Sequence, residues 1–366
     1  MSDQLRIAYI SRAHPPVIGG LEQHNAVLAE ELPRVTPTIS CINTRGKFFL
    51  PFFLPYAALW ALWNLPRYDL LFLGDAVLMP IGTKVKLLSS KAVVTMVHGL
   101  DITYRNAFYQ AIWVRFCSRF IDGFITVSSF TKELVISHGI PSDRIRVIHN
   151  GIYETPLAHS REEARELITL KYELEADAKI LSGLGRLVER KGVYWFLSEV
   201  FDTLPQDTVY LVAGGGREHD RIAELIASRG WGSRVQLLGR VSDAEGELLI
   251  RGSDLFIQPN IAVPGDAEGF GIAAVEAAHQ GTVVLASNIE GLSEALNATT
   301  AVLLPSGDAR VWTNAVTEWL MKSSSERAAF GDSARQYTVA NQTWGKIIPQ
   351  YLSVLTDFWK SVVNPH

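Results

Sequence analysis

Short runs of apolar and β-branched residues alternate with helical stretches along almost the whole chain, and this alternation restricts the fold more than any other feature. One series of six runs is followed by a second, and a polar, charged helical segment at Arg161–Tyr172 separates them. Continuous apolar strands that alternate with helices are typical of parallel sheets covered on both faces. The predicted strands are Leu5–Ile10, Thr38–Asn43, Leu70–Leu73, Ala92–Val97, Gly123–Val127, Ile145–Ile148, Ile180–Leu184, Val209–Ala213, Val235–Leu238, Leu255–Gln258, Val283–Ala286 and Ala301–Leu304.

The two series predict an α/β protein with two doubly wound, Rossmann-like domains and a cleft between them. A chain of 366 residues is long enough for two domains of ordinary size. We expect the first domain at residues 1–155 and the second at 176–345, with a final helix at about 346–366 that packs back on the first domain. In such domains the loops that follow the strands face the ligand crevice.

Charge and cysteine content exclude several classes of protein. The net charge of −4 argues against a dedicated nucleic-acid-binding protein, which would carry a basic excess. Cys41 and Cys117 are the only cysteines and form neither a disulfide framework nor a metal-ligand cluster, which fits a reducing compartment. The chain starts directly with a strand pattern and shows no signal-peptide features. We therefore expect a cytoplasmic protein.

The segment Phe48–Leu65 departs from this pattern because it contains no charged residue and many aromatic ones. Pro51 and Pro55 interrupt helical hydrogen bonding, so we expect a helix only over Tyr56–Leu65, about half the length that a bilayer requires. Two interpretations remain open. The helix packs in the core, or it lies at the inner face of a membrane as a peripheral contact flanked by basic residues.

In each of the two series, a glycine-containing loop follows the first strand. Gly19 and Gly20 precede a helical pattern at Glu22–Leu32, where backbone N–H groups can approach an anion. In the second series, Arg186 and Lys191 flank a turn and can converge on a diphosphate, the first as a fork and the second as a point charge. Each pattern alone also fits an ordinary surface loop.

The most informative run lies between Glu268 and Glu276. Gly269 and Gly271 open a helix whose free N–H groups can bind an anion. Eight residues of helix span about 12 Å, so the two carboxylates are too far apart for a glycosidase pair. We expect them to bind two separate parts of one elongated ligand.

His98 and Asp101 follow the strand Ala92–Val97, and a polar pair at this end of a strand faces the crevice. A histidine with local hydrogen bonds is the alternative for His98. For His24 the same alternative is the default interpretation.

Taken together, these motifs resemble the family 4 retaining glycosyltransferases of the GT-B fold over nearly the whole chain. The order and spacing of the motifs carry the resemblance, since each alone is weak. They are Gly19-Gly20-x-Glu22-x-His24, His98-Gly99-x-Asp101, Val127-Ser128, Val147–Ile152, Gly185-Arg186-Leu187 with Lys191-Gly192, Gly214-Gly215-Gly216, Glu268-x7-Glu276, Val283–Ser287 and Trp344.

The resemblance implies a role for each of these site residues. Arg186 and Lys191 would hold the donor diphosphate, Glu276 the ribose hydroxyls, and Glu268 the hydroxyls of the donor sugar. His98 would lie near the anomeric carbon. Backbone amides of the two glycine-containing turns would place the sugar phosphate, and three residues would lie on the acceptor side. The amides belong to Gly19, Gly20, Gly269, Phe270 and Gly271, and the acceptor-side residues are Glu22, His24 and Asp101.

The resemblance also implies the reaction. A hexosyl unit would pass with retention from a nucleotide-diphosphate sugar to a glycan or lipid-linked acceptor, in cell-surface polysaccharide or glycolipid synthesis. Neither a cofactor nor a metal is expected, because Arg186, Lys191 and a helix N-terminus would stabilise the leaving diphosphate. Two alternatives remain: a sugar-nucleotide epimerase of GT-B fold, and a non-catalytic subunit that binds sugar nucleotides.

Overall fold

The first half of the chain forms a parallel six-stranded sheet with helices on both faces. The computed structural model describes residues 4–16, 19–104 and 106–364, without the side chain of Lys47. The strand order is β2-β1-β3-β4-β5-β6, so the order reverses between β1 and β3. The elements are β1 Ile7–Ser11, α1 Gly20–Val35, β2 Thr38–Ile42, α2 Leu50–Trp63, β3 Leu70–Leu73, α3 Met79–Leu88, β4 Ala92–Val97, α4 Leu100–Thr103, α5 Ala107–Tyr109 continued by a π-helical stretch Gln110–Phe116 and a 3₁₀ turn Cys117–Phe120, β5 Gly123–Thr126, α6 Ser129–Ser137 and β6 Ile145–Val147.

The second half repeats the architecture with another strand order. Its parallel sheet runs β12-β11-β10-β7-β8-β9, and the order reverses between β10 and β7. The elements are α7 Arg161–Lys171, β7 Lys179–Leu184, α8 Val193–Glu199, β8 Thr208–Ala213, α9 His219–Arg229, β9 Val235–Gly239, α10 Asp243–Gly252, β10 Leu255–Gln258, α11 Ile272–His279, β11 Val283–Ser287, α12 Leu292–Ala295, β12 Val302–Leu304, α13 Ala309–Met321 and α14 Ser324–Asn341. All twelve predicted strands are present, with ends displaced by at most two residues. The prediction of two Rossmann-like sheets is confirmed.

The chain divides into two compact units, one of residues 1–151 with 344–366 and one of residues 152–343. The last helix, α15 (Trp344–Val363), belongs to the first unit. Its Tyr351 hydroxyl lies 3.3 Å from His24 Nε2, and the ring of Phe358 packs against the backbone of Gly123.

The segment between the two predicted domains is part of the second unit. A capping box of Ser160 and Glu163 starts α7, and Ala164 and Ile168 are buried. The backbone of Gly252 lies against Ala164, which holds α7 close to α10. The second unit therefore begins at Ile152, earlier than the sequence pattern indicates.

The prediction that prolines confine a helix to Tyr56–Leu65 is wrong, since α2 runs over Leu50–Trp63 with both prolines inside. Pro51 lies in the first turn, where no N–H is needed. Pro55 removes one hydrogen bond, and burial of Phe53 and neighbouring alanines in the core compensates for that loss. The opposite face of α2 is exposed, so the helix is only half buried. None of the described helices combines the length and apolar character needed to cross a membrane.

Candidate active site

The loop that follows β7 carries Arg186 and Lys191 and ends at Gly192. Gly192 has φ of +68°, and a side chain there would collide with the carbonyl of Pro259 at the end of β10. The N–H of Ile261 also donates to Arg190 O at 3.0 Å. The loop is therefore pressed against the adjacent strand end, at the point where the strand order reverses. Ligands bind at this point in open α/β sheets.

The run Gly214–Gly216 supports this loop from the side of β8. Side chains on Gly214 or Gly216 would collide with the carbonyls of Gly185 and Leu187, respectively. The N–H of Leu187 donates to Gly215 O at 3.0 Å. The glycines thus allow two strand-end loops to touch backbone to backbone.

Lys191 and Glu268 form an ion pair in this loop cluster. Lys191 Nζ lies 2.7 Å from Glu268 Oε2, and only 12% and 10% of the two side chains are exposed. Arg190 Nη2 lies 3.9 Å from the same oxygen, and Asn260 Nδ2 donates to it at 3.1 Å. Burial alone would raise the pKa of Glu268, but Lys191 and Arg190 lower it to about 2. Glu268 is therefore a carboxylate, able to accept hydrogen bonds from hydroxyl groups.

Arg190 holds the loop that leads into Glu268. The Arg190 side chain is buried, and its Nε lies 3.3 Å from Asp266 Oδ1 and donates to Ala267 O at 3.2 Å. From the other side, the carboxylate of Glu290 accepts the N–H of Glu268 at 2.5 Å. Two charged side chains thus anchor the loop through its backbone.

Helix α11 begins immediately after Gly271, which has φ of +85°. A side chain at Gly271 would collide with Leu292, and one at Gly291 would collide with the carbonyl of Gly269. These close contacts bring the first turn of α11 next to the loop after β11. The N–H groups of that turn point out of the helix start, as the sequence predicts.

Glu276 is the fifth residue of α11, just past its first turn, and is only partly exposed. Burial raises its pKa to about 7, and the carboxylates of Asp243 and Glu247 on α10 contribute, while Lys191 acts in the opposite direction. The Lys191 ammonium therefore acts on both Glu268 and Glu276. The structure thus brings together three residues that the sequence predicts for the donor site.

Arg186 is one of the residues that line a small pocket at the reversal of strand order. Its side chain is exposed, unlike that of Lys191. The residues that line the pocket include Gly183–Leu187, Lys191 and the strand end Ile257–Pro259. An exposed guanidinium beside a buried ammonium can hold an anionic group from two sides.

In the first unit, Asp101 organises the loop of His98. Its carboxylate accepts the N–H groups of His98 at 3.0 Å, Gly99 at 2.9 Å and Ala76 at 3.1 Å. The Nε2 of His98 donates to the carbonyl of Gly74 at 3.2 Å. These bonds tie the ends of β3 and β4 together. Asp101 thus acts as a positioning residue for His98.

His24 is buried directly beside His98, with ring centroids 5.0 Å apart in an edge-to-face arrangement. Burial lowers the pKa of His24 well below its usual value, and the nearby His98 contributes. His24 is therefore a neutral ring that supports His98, enclosed by Trp344 and Tyr351 of α15.

Gly19 caps α1, and the carboxylate of Glu22 folds back over it. A carboxylate beside a helix N-terminus interacts favourably with the helix dipole. Glu22 thus occupies part of the space in which the sequence predicts an anion. Val17 and Ile18, which lead into this turn, lie outside the described residues.

Three residues around Glu268 have no signal of their own in the motifs, namely Arg190, Asn260 and Glu290. In the first unit the same holds for Asp75, which is buried and forms an ion pair with Arg12 at 2.8 Å. Asp266, which pairs with Arg190, ends the loop Asn260–Asp266 that leads into Glu268. In the described part of the chain, no group of three or more His, Cys, Asp or Glu side chains is arranged to hold a metal ion.

Comparison with solved structures identifies the class of fold. The Anabaena protein HepE in complex with UDP superimposes with a TM-score of 0.77 at 18% identity, over 96% of this chain and all of that one. The catalytic domain of starch synthase IV from Arabidopsis thaliana, bound to ADP and acarbose, superimposes with a TM-score of 0.79 at 14% identity, over 98% of this chain and all of that one. The fold is that of the GT-B glycosyltransferases.

Sequence families identify the group. The model "Glycosyltransferase Family 4" matches residues 12–155, and "Glycosyl transferases group 1" matches residues 165–337. Together they match most of the chain, which belongs to the family 4 glycosyltransferases.

Relatives of similar sequence are also named as glycosyltransferases. An uncharacterised glycosyltransferase of Methanocaldococcus jannaschii is 27% identical over 326 residues, 79% of this chain and 82% of that protein. The D-inositol 3-phosphate glycosyltransferase of Mycolicibacterium smegmatis is 27% identical over 234 residues, 62% of this chain but only 51% of that protein. The match to this second relative thus spans about half of its length.

Proposed function

We propose that the protein transfers a hexosyl unit, with retention, from a nucleotide-diphosphate sugar to a glycan or lipid-linked acceptor. The observation that carries the proposal is the ion pair of Lys191 with Glu268 beside the start of α11. A cation, a helix N-terminus and an ionised carboxylate lie together, which suits a sugar joined to a diphosphate. The proposal includes a role in cell-surface polysaccharide or glycolipid synthesis at the inner, cytoplasmic face of a membrane.

The proposed roles of the donor-site residues follow from their charge and burial. Arg186 and Lys191 stabilise the diphosphate as it leaves, so the proposal needs no metal and no cofactor. Glu268 accepts hydrogen bonds from sugar hydroxyls because it is ionised. Glu276 accepts hydrogen bonds from the ribose hydroxyls. Ribose binding favours its ionised form, since hydrogen bonds to a carboxylate lower its pKa.

On the acceptor side, we propose that His98 lies beside the reacting carbon. Its ring is fixed by the bond from Nε2 to Gly74 O, so that Nδ1 remains as an acceptor in the neutral ring. Asp101 holds the loop, and His24 supports the ring. In this proposal Glu22 lies at the edge of the acceptor site, and backbone amides of the Gly19-Gly20 turn help to place the sugar phosphate of the donor.

The test is a panel of sugar nucleotides with mass detection of the products. UDP-glucose is the first donor to include, because HepE was solved in complex with it. Inositol phosphate is one acceptor to include, because a relative is named for it. Transfer, or slow hydrolysis of one donor, supports the proposal. An epimerase would return a sugar nucleotide of unchanged mass and altered configuration, and a non-catalytic subunit would bind without turnover.

A further inference from the structure

The outer face of α2 and the 3₁₀ turn before it is a continuous apolar stripe, here called the first stripe. It consists of Phe48, Phe52, Tyr56, Leu59 and Trp63, spaced by three or four residues as neighbours on one helical face are. Phe48 is 87% and Trp63 85% exposed. Large apolar patches of this kind mark binding surfaces in soluble proteins.

A second stripe of the same kind lies on the stretch that follows α4. It consists of Phe108, Ile112 and Phe116, which are also exposed. The inner faces of both stretches pack into one hydrophobic core, which includes Phe53 of α2 and Val114 of the second stretch. Helix α3 packs between them, and its end exposes two leucines. The two stripes therefore belong to one layer on the same side of the sheet.

Exposed charges on this layer are of one sign. Residues 44–121 contain three acidic side chains, Asp69, Asp75 and Asp101, and each is engaged in an ion pair or backbone hydrogen bonds. In the described part of this stretch, every charged side chain that is exposed is basic. These side chains are Arg45, Arg67, Lys84, Arg115 and Arg119.

The position of the stripes connects them with the candidate acceptor site. The first stripe starts in the connection that leaves β2, and the second starts in the connection that leaves β4. Because the sheet is parallel, both connections leave the same edge, at which His98 also lies. A ligand held at the start of the stripes would be near that edge.

We propose that the two stripes and the surrounding basic side chains bind the surface of an anionic lipid bilayer. Aromatic side chains with flanking arginine and lysine are typical of contacts with the membrane interface. Charge complementarity favours lipid over a second copy of the chain, because a two-fold dimer would bring two positive faces together. The proposal is independent of sugar transfer, since it rests on this face of the first unit alone.

The experiment measures co-sedimentation of the full chain with vesicles of phosphatidylcholine, with and without phosphatidylglycerol. We expect strong binding only to the anionic vesicles. The double change Phe52→Ser and Trp63→Ser should reduce binding at least about tenfold. The double change Arg115→Gln and Arg119→Gln should cost roughly fivefold per residue and reduce the salt sensitivity.

A matched control uses Leu170→Ser with Met321→Ser, two exposed apolar residues of the second unit that are 80% and 78% exposed. This variant should bind like the wild type, and all variants should keep the wild-type thermal midpoint and donor hydrolysis. A second readout is the fluorescence emission of Trp63, obtained as the difference between the spectra of the wild type and Trp63→Phe. This emission should shift to shorter wavelength with anionic vesicles.

Two results would overturn the proposal. One is equal binding of the wild type and the stripe variants to the anionic vesicles. The other is a wild-type dimer in light scattering that Phe52→Ser with Trp63→Ser converts to a monomer, without vesicle binding by either form. Because donor hydrolysis is measured in parallel, failure of vesicle binding is distinguished from failure of the proposed transferase activity.

Discussion

Lys191 Nζ lies 2.7 Å from Glu268 Oε2, and the same ammonium opposes the rise in the pKa of Glu276 that burial causes. One cation thus acts on both acidic side chains of the Glu268-x7-Glu276 run, and it pairs directly with Glu268. A diphosphate that binds Lys191 must share it with Glu268. Arg186, which is exposed, is the cation that is more accessible to the ligand.

Arg186→Ala should lower turnover at least tenfold and leave the thermal midpoint unchanged. A charge-assisted contact to the diphosphate is worth about 1.5–3 kcal/mol, and the exposed side chain contributes little to folding. Lys191→Ala should lower turnover similarly, but also the thermal midpoint, because it removes the cation closest to the buried Glu268. Steady-state kinetics and thermal unfolding are the measurements. Glu189→Ala, on the same loop and exposed, is the control. Normal kinetics in both cation variants would contradict the assignment.

Glu276→Ala should mainly weaken nucleotide binding, whereas Glu268→Ala should mainly lower turnover. In the proposal, the first carboxylate contacts the ribose and the second contacts the reacting sugar. Calorimetric titration with the bare nucleoside diphosphate separates these roles, because that ligand carries no sugar. A greater loss of affinity in Glu268→Ala than in Glu276→Ala would reverse the assignment.

Stability should depend on pH through Glu276. Its pKa in the folded protein is about 7, compared with an ordinary value of 4.5, so the folded state holds this proton more tightly than the unfolded state. Its contribution to the free energy of unfolding is at most about 3 kcal/mol. This contribution is fully present below about pH 4.5 and is lost as the pH rises through 7.

Glu276→Gln should therefore reduce the fall in the thermal unfolding midpoint between about pH 5 and pH 8, a range that brackets the folded pKa. Glu268→Gln is the control, since the pKa of Glu268 is lowered to about 2 and its contribution is lost only as the pH falls below about 4.5. An unchanged slope in Glu276→Gln would show that another group carries the dependence.

Activity should survive EDTA. In the proposed mechanism Arg186, Lys191 and the start of α11 stabilise the leaving diphosphate, so that a divalent cation is not required. The measurement is initial rate in chelator, with Mg²⁺ or Mn²⁺ added back. A rate lost in EDTA and recovered only with the metal would refute this part of the proposal.

Gly151→Ala should destabilise the first unit by about 1–3 kcal/mol. An added Cβ would lie 2.7 Å from Trp344 Cδ2 and 3.1 Å from Trp344 Cα, so that backbone would have to move. Gly345→Ala is the matched control, because no atom lies within 4 Å of its Cβ position. Chemical unfolding should show no loss for Gly345→Ala, and equal stability of the two variants would contradict the contact.

All twelve strands could be predicted from the chain because each is a short apolar run bounded by turn residues. Local pattern is sufficient for such elements, since a strand buried on both faces must be apolar throughout. The extent of α2 could not be predicted in the same way. Pro55 weakens the helix locally, and only burial of Phe53 and its neighbours in the core makes the longer helix stable.

The sequence by itself also determined which residue types stand at the ends of the strands, because the order and spacing of the motifs are local properties. Only the tertiary structure decided their electrostatic state. Lys191 and Glu268 are 77 residues apart in the chain, and only folding buries them side by side as an ion pair. Glu268 and Glu276 look alike in the sequence. The pKa of the first is lowered and that of the second raised, because a carboxylate's charge is governed by the charges and solvent that folding places around it.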